Sequence, residues 1–135
     1  MDEEGRRPSL PTMDPGMLID MSNELLAMGE YEKAIDLLKN LIANEKRRTF
    51  LAKAYNSCGV AYAELGDYDK AVEYFEKAIE LRRYLVDFGA RTYSNLARVY
   101  ELMGNEKKAR ECREKCEILR EELHHCWVTM SDTLE

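Results

Sequence analysis

From Met17 onward, apolar residues recur along the chain at steps of three and four, the spacing of one face of an α-helix. At three points a glycine interrupts this rhythm and a similar stretch follows. "GEYEKAIDLLKNLI" begins at Gly29, "GDYDKAVEYFEKAI" at Gly66 and "GNEKKARECREKCE" at Gly104, so the starts lie 37 and 38 residues apart. Another helical stretch precedes each: Met17–Met28, Thr49–Leu65 and Ala90–Met103. All three prolines fall at or before Pro15, so none breaks a helix downstream. The pattern therefore predicts three units of helix, turn and helix. Gly29, Gly66 and Gly104 stand where a helix closes in a left-handed residue, and Asp67, Asp69 or Asn105 can cap the helix that follows.

Small residues within each unit predict where helices meet. In the middle unit Gly59 and Ala71 allow two backbones to approach, with Tyr55, Tyr62, Phe75 and Ala78 around them. The third unit offers Tyr93, Leu96, Ala97, Tyr100 and Ala109; the first offers Leu18, Met21, Ser22, Leu25 and Ala34. A helical hairpin with one apolar side cannot bury that side alone, so neighbouring hairpins must stack. The expected fold is all-α, an α-solenoid of three hairpins.

The middle unit reads Tyr55-x2-Cys58-Gly59-x2-Tyr62, then Ala71-x3-Phe75. This resembles the tetratricopeptide repeat (TPR), whose pattern is W-x2-L-G-x2-Y…A-x3-F…P. The resemblance is clear in the third unit, weaker in the first, and extends from Pro15 to Leu123. The spacing exceeds the usual period by about one helical turn, and Arg83 stands where a proline normally follows the second helix. "AIELRRYLVDFGARTYSNL" is accordingly expected to prolong the second helix, as in TPR subfamilies with extended helices.

The resemblance implies a binding scaffold whose first helices line a concave groove. By position that groove would hold Asn23, Lys53, Asn56, Ser57, Val60, Arg91, Ser94, Asn95 and Arg98. Asparagine amides can hydrogen-bond an extended peptide, and arginines can hold carboxylates. The partner implied is a protein or peptide of acidic character. The carboxylate clamp of some TPR domains would fall on Ile19, Asn23, Ser57, Arg91 and Asn95, where only Asn23 and Arg91 have the clamp residue types.

The last helix is expected to be long. Ala109, Cys112, Cys116, Leu119, Leu123, Trp127, Met130 and Leu134 form one narrow stripe with the look of a coiled-coil seam. The helix before it reaches only to about Leu123, so Leu119, Leu123, Trp127, Met130 and Leu134 are read as a self-association seam. A homodimer is favoured over fold-back or a docked partner. "WVTMSDT" is poor in strong helix formers, which leaves 124–135 as helix extension or tail. The domain reading is thus a polar, disordered segment over 1–12, a three-repeat domain over 13–123, and that extension. "RRPS" at Arg6–Ser9 resembles a basophilic kinase site, a match short enough to arise by chance.

Composition narrows the function classes. The 135 residues are 45% hydrophobic and 34% charged, a balance that suits a helix-rich folded domain. The net charge of −6 argues against general nucleic-acid binding. No apolar run is long enough for a bilayer and no secretory pattern opens the chain, so the expected address is the cytoplasm. Cys58, Cys112, Cys116 and Cys126 read as reduced thiols. Cys112, Cys116, His124, His125 and Cys126 raise a metal hypothesis, but one straight helix cannot converge on an ion. Neither a phosphate-binding glycine loop nor a nucleophile elbow is present, and no cofactor or catalysis is expected. The functional expectation is a protein-interaction adaptor; the alternative is a structural module that self-assembles through its last helix.

Overall fold

The computed structural model describes residues 14–133, with side chains through Met130. Its helices are α1 (Pro15–Ala27), α2 (Tyr31–Asn44), α3 (Arg48–Glu64), α4 (Tyr68–Glu80), α5 (Ala90–Leu102) and α6 (Glu106–Thr133). Each packs on the one before it, giving an α-solenoid of three hairpins. The N-terminal segment and its "RRPS" lie outside the described residues.

The turns form as the sequence predicts. Gly29, Gly66 and Gly104 have φ of +81°, +85° and +83°, a conformation that costs other residues a steric clash. Asp67 Oδ1 then accepts the Lys70 N–H at 3.3 Å, and Asn105 Oδ1 accepts that of Lys108 at 3.1 Å. Pro15 opens α1, where its missing N–H costs nothing.

The extra turn of chain in the middle unit does not prolong the second helix. α4 stops at Glu80, and 81–89 form a linker with one short 3₁₀ turn at Arg82–Tyr84. Local polar bonds favour that linker over a continued helix. The Asp87 carboxylate accepts the N–H groups of Gly89 and Arg91 at 3.0 and 2.8 Å, which caps α5. Arg82 donates to the Phe88 carbonyl at 3.2 Å. Phe88 and Gly89 both have positive φ, +52° and +90°, which no helix accommodates.

The core lies between repeats. Ile19, Leu38, Leu41, Ala54 and Cys58 join the first repeat to the second. Tyr62, Ala71, Phe75, Leu96, Val99 and Tyr100 belong to the cluster that joins the second to the third. Gly59 is what admits Phe75, which is 1% exposed: a Cβ there would lie 2.5 Å from the phenyl ring. Counted from the turn glycines, Ser22, Gly59 and Ala97 are equivalent, as are Leu38, Phe75 and Arg113. The largest ring thus faces the residue with no side chain. The Ser22 hydroxyl turns back to the Leu18 carbonyl at 2.8 Å. Met21, expected in the core, is instead 40% exposed, because no earlier hairpin among the described residues covers α1.

The far end is closed differently. The outward positions of α2 and α4, Ile35, Leu38 and Ile42, then Val72, Phe75 and Ile79, become Arg110, Arg113 and Glu117 in α6. Arg113 pairs with Glu101 and, at 3.7 Å, with Glu106. The body of α6 therefore supplies the polar outer face that a separate capping helix would otherwise provide.

Gly59→Ala should destabilise the protein by about 1–3 kcal/mol through overpacking against Phe75. Gly59→Ala combined with Phe75→Leu, which approximates the Ser22–Leu38 pairing, should recover part of that loss. Thermal melts followed by circular dichroism read both; an unchanged midpoint in the single variant would overturn this packing.

Candidate functional site

The first helices α1, α3 and α5 run side by side, and the residues expected in the groove lie along them. Lys53, Arg91 and Arg98 are exposed, whereas Asn56, Ser94 and Asn95 are half-buried. Among the described residues none of these three cations enters an ion pair. Asn95 and Arg98 line a cleft of about 50 Å³ together with Val60, Ala63, Phe75 and Leu102. Its floor is apolar and its rim is cationic and amide-bearing, save for Glu64 on the α3 side.

Two hydrogen bonds order the asparagines. The Ser57 hydroxyl donates to Asn23 Oδ1 at 3.2 Å, and Thr92 Oγ1 donates to Asn56 Oδ1 at 2.8 Å. Each bond links one first helix to the next. With the amide oxygen engaged, the NH₂ group is the remaining donor of each of these asparagines. Ser57 was expected in the groove itself, but it is 7% exposed and acts from beneath, through Asn23. Thr92, 1% exposed, does the same for Asn56 and was not anticipated. A small hydroxyl residue gives no periodic signal, since only the helix packing shows which amide it meets. Two of the five clamp positions, Ile19 and Ser57, are buried and offer neither a cation nor an amide to a carboxylate.

The cysteines divide by environment. Burial pushes the Cys58 thiol up to about 12, which leaves it protonated and inert at neutral pH. Burial also raises Cys112, while Cys116 is buried on the same inward stripe and Cys126 is exposed. Among the described residues no group of three His, Cys, Asp or Glu side chains could hold a metal ion.

α6 continues as one helix to Thr133, through "WVTMSDT". At 28 residues it is about 42 Å long, against about 20 Å for the 13-residue α5. Leu119 and Leu123 are half-buried, whereas Trp127 is 69% exposed and Met130 is exposed. Leu134 lies outside the described residues. No helix among the described residues is long and apolar enough to cross a membrane.

The stacked hairpins with a groove along their first helices define a helical-repeat interaction module. The tetratricopeptide-repeat family profile matches residues 52–84 and again 90–120, the second and third hairpins. The chain's second and third hairpins are tetratricopeptide repeats. The chain is 39% identical over 61 residues to the uncharacterized protein MJ0572 of Methanocaldococcus jannaschii, a match covering 45% of this chain and 66% of that one. Among solved structures it resembles MamA, with a TM-score of 0.72 and 27% identity over 86% of this chain and 64% of MamA. The TPR domain of Arabidopsis FLU shares the fold, with a TM-score of 0.70 and 22% identity over 81% of this chain and 95% of that domain. The chain thus spans just under two thirds of MJ0572 and of MamA.

Thr92→Val should cost about 0.5–1.5 kcal/mol, since it removes a buried inter-repeat hydrogen bond with little change in volume; a denaturant titration measures it. In native protein at mildly alkaline pH, a thiol reagent should modify Cys126 rapidly and leave Cys58 untouched until the chain unfolds. Peptide mapping of the labelled sites checks this.

Proposed function

We propose that this chain is a non-catalytic interaction scaffold whose groove along α1, α3 and α5 holds an acidic, extended or helical peptide segment of a protein partner. One observation carries the reading: in a chain of net charge −6, Lys53, Arg91 and Arg98 gather on one face without carboxylate partners among the described residues. The oriented amides of Asn23 and Asn56 add donors for a peptide main chain, and Asn95 and Ser94 extend the polar lining. The cleft beside Arg98 has room for a small apolar side chain. Its size and apolar floor suit specificity at one ligand position.

An array of acidic peptides should therefore yield binders whose affinity weakens as salt rises, because exposed charges are screened over about 8 Å at physiological ionic strength. Arg91→Glu with Arg98→Glu should reduce affinity by about tenfold or more, equivalent to about 1.4 kcal/mol. Undiminished binding in that double variant would refute the groove assignment.

A second reading is favoured by Trp127, which stands 69% exposed on the part of α6 that outruns α5. A contiguous apolar strip left exposed on a helix face, here with Trp127 and Met130, marks an association site. In this reading the seam Leu119, Leu123, Trp127, Met130 and Leu134 pairs two copies of the chain. Trp127→Ala should then convert a dimer into a folded monomer by light scattering.

A further inference from the structure

The two ends of the solenoid are unlike, and each lacks what the other offers. Counted from the turn glycines, Met17 is equivalent to Ala54 and Thr92, and Met21 to Cys58 and Leu96. In the second and third repeats these positions are covered: Leu38 and Leu41 of α2 pack with Ala54 and Cys58, and Phe75 of α4 packs with Leu96. Among the described residues no second helix precedes α1, and Met17 and Met21 are 54% and 40% exposed. The face is built to receive the second helix of a preceding repeat.

Its charge restricts what can sit there. Residues 14–28 contain Asp14, Asp20 and Glu24 and no lysine or arginine. Asp20 and Glu24 form an i,i+4 ridge beside the Met17–Met21 ridge. Two α1 faces would bring like charges together, which disfavours a symmetric α1 pair. Among the described residues, the second helix that carries exposed apolar side chains beyond its own hairpin is α6. Its body presents Arg110, Arg113 and Glu117 outward, but beyond Leu119 the Leu123–Trp127 ridge runs beside Arg120 and His124. From Arg120 to Thr133 the overhang is about 20 Å, the length of the 13-residue α1. Because α1 and α6 close opposite ends of the stack, a contact between them joins different molecules.

We infer that the α6 overhang of one copy docks on the Met17–Met21 face of a second copy, making a head-to-tail contact. The inference rests on the reading that α6 self-associates, and it replaces the paired α6 helices of that reading with a different receiving surface. The contact uses two distinct patches and leaves one of each unfilled at the ends, so it propagates beyond a dimer unless the rotation closes a ring.

Sedimentation velocity on the full chain tests this, with circular dichroism confirming the fold of each variant. Wild type should grow past the dimer as concentration rises. Met17→Glu with Met21→Glu should be monomeric, and so should Trp127→Glu, each with association weakened by about tenfold or more. Mixed together, the two variants should form a one-to-one pair that grows no further, since one retains its tail and the other its face. Should Met17→Glu with Met21→Glu lower the helical content, Met17→Ser with Met21→Ser takes its place. If the α1 variants dimerise like wild type while Trp127→Glu does not, α6 helices pair with each other and the head-to-tail contact is refuted. A wild type that stays monomeric at every concentration overturns both.

Discussion

No hairpin in this chain can bury its own apolar surface. Leu38 and Leu41 of the first hairpin are covered by α3, and Phe75, seated over Gly59 in its own hairpin, is closed over when α5 supplies Leu96 and Val99. Stability is therefore shared between neighbours, and the two ends of the stack are where sharing fails. The chain answers that failure in two ways. At the C-terminal end the buried positions turn into Arg110, Arg113 and Glu117, so the body of α6 meets water with charge. At the N-terminal end the positions that a preceding second helix covers in later repeats are Met17 and Met21, flexible and apolar, beside an acidic ridge.

The same stacking builds the groove. First helices lie adjacent because each hairpin rests on the last, and the hydroxyls of Ser57 and Thr92 then reach across to the asparagines of the preceding helix. One set of contacts thus links successive repeats and orients the Asn23 and Asn56 amides. Ser22, in a related setting, bonds its own helix instead, so the cross-helix bonds at Ser57 and Thr92 are specific to their positions. Lys53, Arg91 and Arg98 need no such support, since long cations on an exposed helix face reach solvent by default.

The linker between the second and third hairpins shows how insertion is tolerated in such a stack. The added residues leave the helices unchanged and form a capped turn, held by Asp87 and Arg82 at the edge of the solenoid. Extra chain at the surface costs little entropy compared with a helix forced through the neighbouring repeat. The prediction of a longer helix failed because helix periodicity in "AIELRRYLVDFG" continues past the point where backbone bonding changes. Asp87 and the Phe88–Gly89 pair were the signal that a cap stood there.

By itself the sequence determined the three hairpins, their turn glycines and the inward residues of the middle unit. These follow from periodicity and from glycine's access to positive φ, which are local properties. The groove could be placed only by resemblance, because a solvated helix face and a binding face have the same pattern. Tertiary structure alone decided that Phe75 occupies the space above Gly59, that Ser57 and Thr92 lie beneath the groove, and that Met21 is uncovered. Each of these depends on which helix lies opposite, and a single chain's periodicity carries no information about its neighbour's register.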